Sequence, residues 1–390
     1  MNLIKKKKFV PGKLSFFSVA HGLVHMITGT LAPVLPLIRN DFNLSYTLIG
    51  VFTLILSLTL GIASIPAGVI SERVNRFKFI SLMFCLIGII CTLLFLKTGL
   101  WITLLLLTLL FLCFSAFHPS AQICLFHEYP QKKGTVFGVY ESGGNFGLFL
   151  APFVAGFISS QFGWRAVYLI WAIPIFIFSL LIYLVFRKEQ EFVNISDLSI
   201  KGEIYRGIGA LFKRQELGTI FLIQANAGLL WAIIIFLPLF LVDKRGFSIE
   251  NAGLVLSLFI LTGALGKMLG GKLADQWGRK RVLFCCFTLL VPLYISIPFT
   301  FGFMSILFLL LLSLVFFMII PVLLTSVALF SRDGLGFNYG FLTLMGAGSS
   351  AISRLFCGLI SDFLSMEMIF FMFAIIAMIG AILSLFRLSS

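Results

Sequence analysis

Long uninterrupted apolar runs, such as Phe79 to Leu96 and Trp101 to Phe117, alternate with short charged or turn-forming clusters along the whole chain. Runs of this length match the roughly 20 residues a helix needs to cross a ~30 Å hydrocarbon layer. The two-residue alternation of a membrane barrel strand is missing from them, so the spans are predicted to be helices. Breaking the chain at the polar clusters predicts spans at 14–38, 47–70, 79–97, 100–126, 135–160 and 164–187, then at 216–242, 248–270, 281–301, 303–330, 335–360 and 366–387. The fold class expected is an all-α membrane protein of twelve transmembrane helices in two halves, residues 1–187 and 216–390, joined by a polar linker over 188–215. The later part of that linker, 204–212, mixes apolar and basic residues and suits either a short surface helix or a solvated loop.

Composition agrees with this pattern. Of 390 residues, 60% are hydrophobic and 11% charged, against about 25% charged in soluble domains. The formal charge of +14 does not point to nucleic acid, because the basic residues sit at the ends of apolar runs and form no patch. Their placement reads as topology. Of 29 Lys and Arg, 22 fall on the side of the N-terminus and five on the other, which predicts both termini in the cytoplasm. Lys5 to Lys8 followed by an apolar stretch has the outline of a signal peptide. That stretch runs to Ile38, holds two histidines and has no clear cleavage site, so it is read as a retained first helix. The seven cysteines lie in or at the edge of apolar segments with no CxxC pair, as inert thiols would. The 46 phenylalanines and short loops suggest a bacterial inner membrane.

The halves echo each other. Gly68-Val-Ile-Ser-Glu72-Arg73-Val-Asn75-Arg76-Phe-Lys78 follows the second span and Gly271-Lys-Leu-Ala-Asp275-Gln-Trp-Gly278-Arg279-Lys280-Arg281 follows the eighth, at an offset of 203 residues. A repeated glycine, acid and basic cluster is the trace of a duplicated bundle. The second copy resembles the signature G-x-L-A-D-x-x-G-R-(R/K)-(R/K) of the major facilitator superfamily. The first departs from it at Glu72 and Asn75. The resemblance implies two pseudo-symmetric six-helix bundles and a gating role for Glu72, Arg73, Arg76, Asp275 and Arg279, where an acid beside a helix end and a guanidinium makes a breakable contact. In the fifth span Gly138, Gly143, Gly144, Gly147, Ala151-Pro152 and Ala155-Gly156 are similar to the antiporter motif of facilitator exporters, with alanine at two glycine positions. The same spacing serves close helix packing. Ala116-Phe-His118-Pro119, Gly143-Gly144-Asn145-Phe-Gly147 and His21 are similar to the fosmidomycin-resistance group of exporters, although Val24-His25 and Ser120 depart from it.

Polar residues inside spans are the pointers to function, since a buried charge is costly unless it faces a cavity or a partner. They are Glu141, Lys267 and Arg354, with His21 and His25 one turn apart, His118 and Gln122 one turn apart, and Asn145, Gln224 and Asn226. In the family the first, fourth, seventh and tenth helices line the cavity, flanked by the second, fifth, eighth and eleventh, and all of these residues fall on such helices. Two fixed cations against one carboxylate favour an anionic substrate, with Arg354 suited to bidentate capture and Lys267 supplying a point charge. His21, His25, His118, Gln122, Asn145, Gln224, Asn226, Lys267 and Arg354 are expected to bind substrate, and Glu141 to carry a proton. No cofactor is expected. Neither is a metal site, because no second carboxylate or thiolate stands at ligand spacing to the histidines. An intramembrane enzyme is disfavoured: His127-Glu128 lacks the second histidine of HExxH, and Gly263-Ala-Leu-Gly266-Lys267 is too short for a phosphate loop. The expected activity is proton-coupled export of a small organic anion by a monomer among membrane lipids, with no nucleic-acid partner. The alternatives are uptake of a carboxylate or anionic metal chelate, multidrug antiport, or a transporter-like receptor or lipid flippase.

Overall fold

A computed structural model describes residues 11–129, 133–187, 215–330 and 335–387; the predicted linker over 188–215 lies almost entirely outside them, as do the side chains of Glu72, Arg73 and Gln122. Every regular element among the described residues is helical: α1 Pro11–Asp41, α2 Tyr46–Arg73, α3 Arg76–Phe95, α4 Leu100–Glu128, α5 Lys133–Phe162, α6 Trp164–Phe186, α7 Gln215–Leu230, α8 Ile233–Arg245, α9 Ile249–Trp277, α10 Arg279–Ser296 followed by a 3-10 turn at Ile297–Phe299, α11 Gly302–Phe330, α12 Leu335–Phe363 and α13 Met368–Arg387. Among the described residues, twelve stretches are long and apolar enough to cross a membrane, because α7 and α8 together form the seventh. That span is a correction to the sequence expectation of one continuous helix. The chain turns at Trp231 and Ala232, between Gly228 and Pro238, and the Trp231 amide bonds the Gly228 carbonyl at 3.1 Å in a tighter turn.

Short polar residues set the helix starts. Ser45 accepts from the Leu48 amide at 3.2 Å at the start of α2, and Ser248 does the same for Asn251 at 3.2 Å at the start of α9. Asn75, which departs from the family glycine, caps α3 by accepting from Lys78 at 3.0 Å. At the matching position of the second half, Gly278 joins α9 to α10 with φ of 85°, a backbone shape that a side chain rarely tolerates.

The two halves pack alike. Helix α1 lies along α5, α2 along α4 and α3 along α6; in the second half α7 lies along α12, α9 along α11 and α10 along α13. Across the halves, α2 meets α12 and α5 meets α9. Large apolar side chains on α6 and α13, Ile177, Leu180, Ile375 and Ile382 among them, are exposed, as lipid-facing helices require. Behind them Ser81 on α3 and Ser179 on α6 exchange hydroxyl-to-carbonyl bonds at 2.9 and 2.8 Å.

At the face where α1 ends and α2 begins, the halves are bolted together. Arg39 pairs with Asp243 at 3.1 Å, and the Tyr46 hydroxyl donates to the same carboxylate at 2.9 Å. Asp362 accepts from the Tyr46 and Thr47 amides at 3.0 and 2.6 Å, so that a carboxylate of α12 caps the N-terminus of α2. Glycines bring the backbones close here: a Cβ at Gly358 would meet the Tyr46 carbonyl, and one at Gly253 the Pro152 carbonyl.

Candidate functional site

The first constellation is built on the α1–α5 seam. A Cβ at Gly143 would strike the Ser18 carbonyl and one at Gly147 the Gly22 carbonyl, so these glycines let the helices touch. The antiporter-like glycines therefore have a packing role in this structure. At Gly144 an added methyl would lie 2.5 to 2.8 Å from three His21 ring atoms, so the missing side chain is the space the imidazole occupies. The His21 ring stacks on Tyr140 at 4.0 Å between centroids, and its Nδ1 lies 2.9 Å from the Tyr140 carbonyl oxygen. His25 stands one turn further along α1, and His118 reaches in from α4. The three ring centroids are 4.6, 5.1 and 5.3 Å apart.

Glu141 follows Tyr140 and is half-buried. Lys267 crosses from α9 in the second half, and its Nζ donates to the Asn145 side-chain oxygen on α5 at 2.9 Å while lying 5.6 Å from the Phe317 ring centroid. Glu141 and Lys267 sense each other's charge, but the ammonium's hydrogen bond goes to Asn145. The structure thus brings together six of the predicted residues: His21, His25, His118, Glu141, Asn145 and Lys267.

The second constellation is a cavity of about 330 Å³ lined by Ser57, Gln224, Trp231, Gly346, Ser350 and Arg354 among others. Arg354 on α12 donates to the Thr53 carbonyl at 3.3 Å and also to the Ser57 hydroxyl, both on α2. Its Nε and the Ser350 hydroxyl are buried without a hydrogen-bond partner. Buried polar atoms are seldom left so unless a ligand or water meets them. The Trp231 ring, displaced by the break between α7 and α8, packs 5.3 and 5.1 Å from Phe316 and Phe317.

Asn226 is not part of this cavity, contrary to the sequence expectation. Its amide donates to the Ile376 carbonyl on α13 at 3.0 Å. Two positions along a helix is more than half a turn, so Gln224 and Asn226 face opposite ways. Of the expected gating residues, Arg76 is buried at the start of α3, Asp275 is exposed near the end of α9, and Arg279 opens α10. Sequence reasoning missed Asp243, Asp362 and Tyr46 and counted Arg39 only for topology. The available signal was acids at the ends of the seventh and eleventh spans opposite a basic residue at the end of the first.

The Major Facilitator Superfamily model matches residues 17–328 and 219–390. The chain is 26% identical over 387 residues to the fosmidomycin resistance protein of Escherichia coli (strain K12), which covers 95% of this chain and 91% of that protein. It is 25% identical over 306 residues to the hexuronate transporter of Bacillus subtilis (strain 168), covering 74% of this chain and 71% of that one. Among solved structures, a bacterial homologue of the human lysosomal transporter Spinster, in an inward-facing and occupied conformation, superposes with a TM-score of 0.83 at 16% identity, covering 97% of both chains.

Proposed function

The chain belongs to the major facilitator superfamily and is a multi-pass membrane transporter rather than an enzyme, and from that premise we propose that it exports a small organic anion by alternating access in exchange for protons. The observation that carries the anion assignment is the state of the two interior cations. Lys267 and Arg354 each reach from the second half to the first, and each finds neutral oxygens there, of Asn145, Thr53 and Ser57. No carboxylate pairs with either among the described residues within ion-pair distance. Unneutralised cations inside a membrane protein are costly unless an anion visits them. One relative is a hexuronate transporter, and a hexuronate is a carboxylate.

Arg354 presents a planar fork for a carboxylate, phosphate or phosphonate at the cavity, and Gln224 and Ser350 supply neutral polar contacts beside it. Glu141 is the proton carrier in this reading. It lies within electrostatic reach of Lys267 without pairing to it, and rocking of the halves would bring the two together in one state and expose the carboxylate to a proton path in the other. With both termini placed in the cytoplasm of a bacterial inner membrane, the face bolted by Arg39, Asp243 and Asp362 is the outer one. The described arrangement is then the outward-closed state of a monomer. Asp275, Arg279, Arg76, Glu72 and Arg73 would form the opposing latch when the inner face shuts.

The test is proton movement in proteoliposomes loaded with a pH dye. Phosphonates, sugar phosphates, uronates, polycarboxylates and cationic drugs are supplied in turn to the native chain and to Arg354→Ala and Glu141→Gln. Anions alone should drive proton flux, Arg354→Ala should raise the concentration needed by at least about tenfold, and Glu141→Gln should abolish gradient coupling. Flux driven only by cationic or neutral compounds, or full coupling in Glu141→Gln, overturns the reading. The sign of the proton flux separates export from uptake.

A further inference from the structure

We propose that His21, His25 and His118 form a three-nitrogen site for one divalent first-row ion of the cobalt, nickel or zinc class. The inference stands on the geometry of the three side chains and not on the transport reading above. It replaces the sequence expectation of no metal, which looked for a carboxylate or thiolate at ligand spacing.

The ligand atoms of the three histidines all lie within 4.8 Å of one another. Two come from one face of α1 and the third from α4, so the cluster is held by two packed helices rather than by a loop. His21 is already set for coordination. A carbonyl only accepts, so the 2.9 Å contact to Tyr140 requires His21 Nδ1 to carry the hydrogen, which leaves the Nε2 lone pair free. Donation of the second ring nitrogen to a backbone carbonyl is the support that metal-bound imidazoles ordinarily have. Stacking on Tyr140 at an interplanar angle of 9°, and the space left by Gly144, fix the ring further.

His25 and His118 are not held in this way. His25 Nδ1 is buried with no hydrogen-bond partner, and neither side chain makes a hydrogen bond among the described residues. No hydrogen bond therefore fixes either ring. Zinc–nitrogen bonds of 2.0 to 2.1 Å in a tetrahedron place ligand nitrogens about 3.4 Å apart. The cluster reaches that spacing by contracting through χ rotation of the two unheld rings. Three neutral imidazoles facing one another otherwise leave a buried nitrogen unsatisfied, which a shared ion corrects. All-nitrogen ligation selects this metal class over magnesium and calcium. Three protein ligands leave a fourth position open.

The test uses full-length protein in detergent, with any affinity tag removed and metal stripped by a chelator, titrated with Co²⁺ alone. One equivalent should bind, with the visible bands of tetrahedral Co²⁺ and no thiolate charge-transfer band, and Zn²⁺ should displace it. His25→Ala and His118→Ala should each weaken binding by at least about tenfold. Gly144→Ala, which pushes the His21 ring, should also weaken it, while Cys113→Ser and Cys124→Ser should leave it unchanged. His21→Gln keeps an amide donor for Tyr140 and separates folding from ligation: a folded His21→Gln protein that has lost the tetrahedral bands supports the site. Failure of the native chain to take up one equivalent, or bands that survive in both His25→Ala and His118→Ala, overturns it.

Discussion

The two halves use one scaffold for two kinds of interior. The offset of 203 residues that relates the loop signatures also relates Ser45 to Ser248, Asn75 to Gly278, His21 to Gln224, His25 to Gly228 and Gly143 to Gly346. In both halves the second member of the packed pair, α5 or α12, offers a glycine to the first, α1 or α7. In the first half an imidazole fills the space at the neighbouring Gly144, with His21 held by Tyr140 and His25 beside it. In the second, Gly228 stands where His25 does, Gln224 replaces His21, and the helix breaks at Trp231. That half is left with a cavity of about 330 Å³ and a guanidinium at its wall. Duplication preserved the helix contacts, and a few side-chain changes decided which half closes around rings and which stays open.

The largest expected difference is at the matched glycines. A Cβ at Gly143 meets the backbone of α1 at Ser18, which cannot yield without separating the helices, whereas a Cβ at Gly346 meets the end of the Gln224 side chain, which can swing away. Gly143→Ala should therefore cost about 3 kcal/mol and Gly346→Ala less than about 1 kcal/mol. Thermal unfolding of the two purified variants measures this, and equal losses would break the comparison.

A smaller difference is expected at the matched helix junctions. Gly278 has φ of 85° and ψ of 148°, a region that is close to glycine-only, so Gly278→Ala should cost about 2 kcal/mol. Asn75 acts through its side chain in an ordinary backbone shape, and Asn75→Gly should cost only a few tenths of a kcal/mol. The same unfolding assay ranks them, and a reversed order would show that the junctions are not equivalent.

The smallest effect concerns the bolted face. Asp362→Asn keeps a hydrogen-bond acceptor but removes the charge from the α2 N-terminus, which is worth about 1 kcal/mol. That predicts a several-fold rise in molecules open at this face. Distances between spin labels at Asn43 and Glu367 in the variant and the native chain would show a new longer population. An unchanged distribution would mean that the Asp243 contacts to Arg39 and Tyr46 hold the face without the Asp362 charge.

The apolar runs, the charge bias and the duplicated loop signature made the twelve spans, the two halves and the family legible, because each rests on local composition or a fixed spacing that bilayer thickness enforces. The same reading placed the intramembrane polar residues on inward-facing helices and paired His21 with His25 by their one-turn spacing. It could not assign faces within a span: Gln224 and Asn226 read alike in sequence, yet one lines the cavity and the other bonds Ile376 on α13. Nor could it separate Lys267 from Arg354, which tertiary packing sends to Asn145 in one site and to Ser57 in the other. The break at Trp231 and the carboxylate of Asp362 on α2 were equally out of reach. The hydrophobic pattern fixes how much chain the membrane holds, whereas a buried polar group takes whatever partner a distant helix delivers, and only the packed structure decides which helix that is.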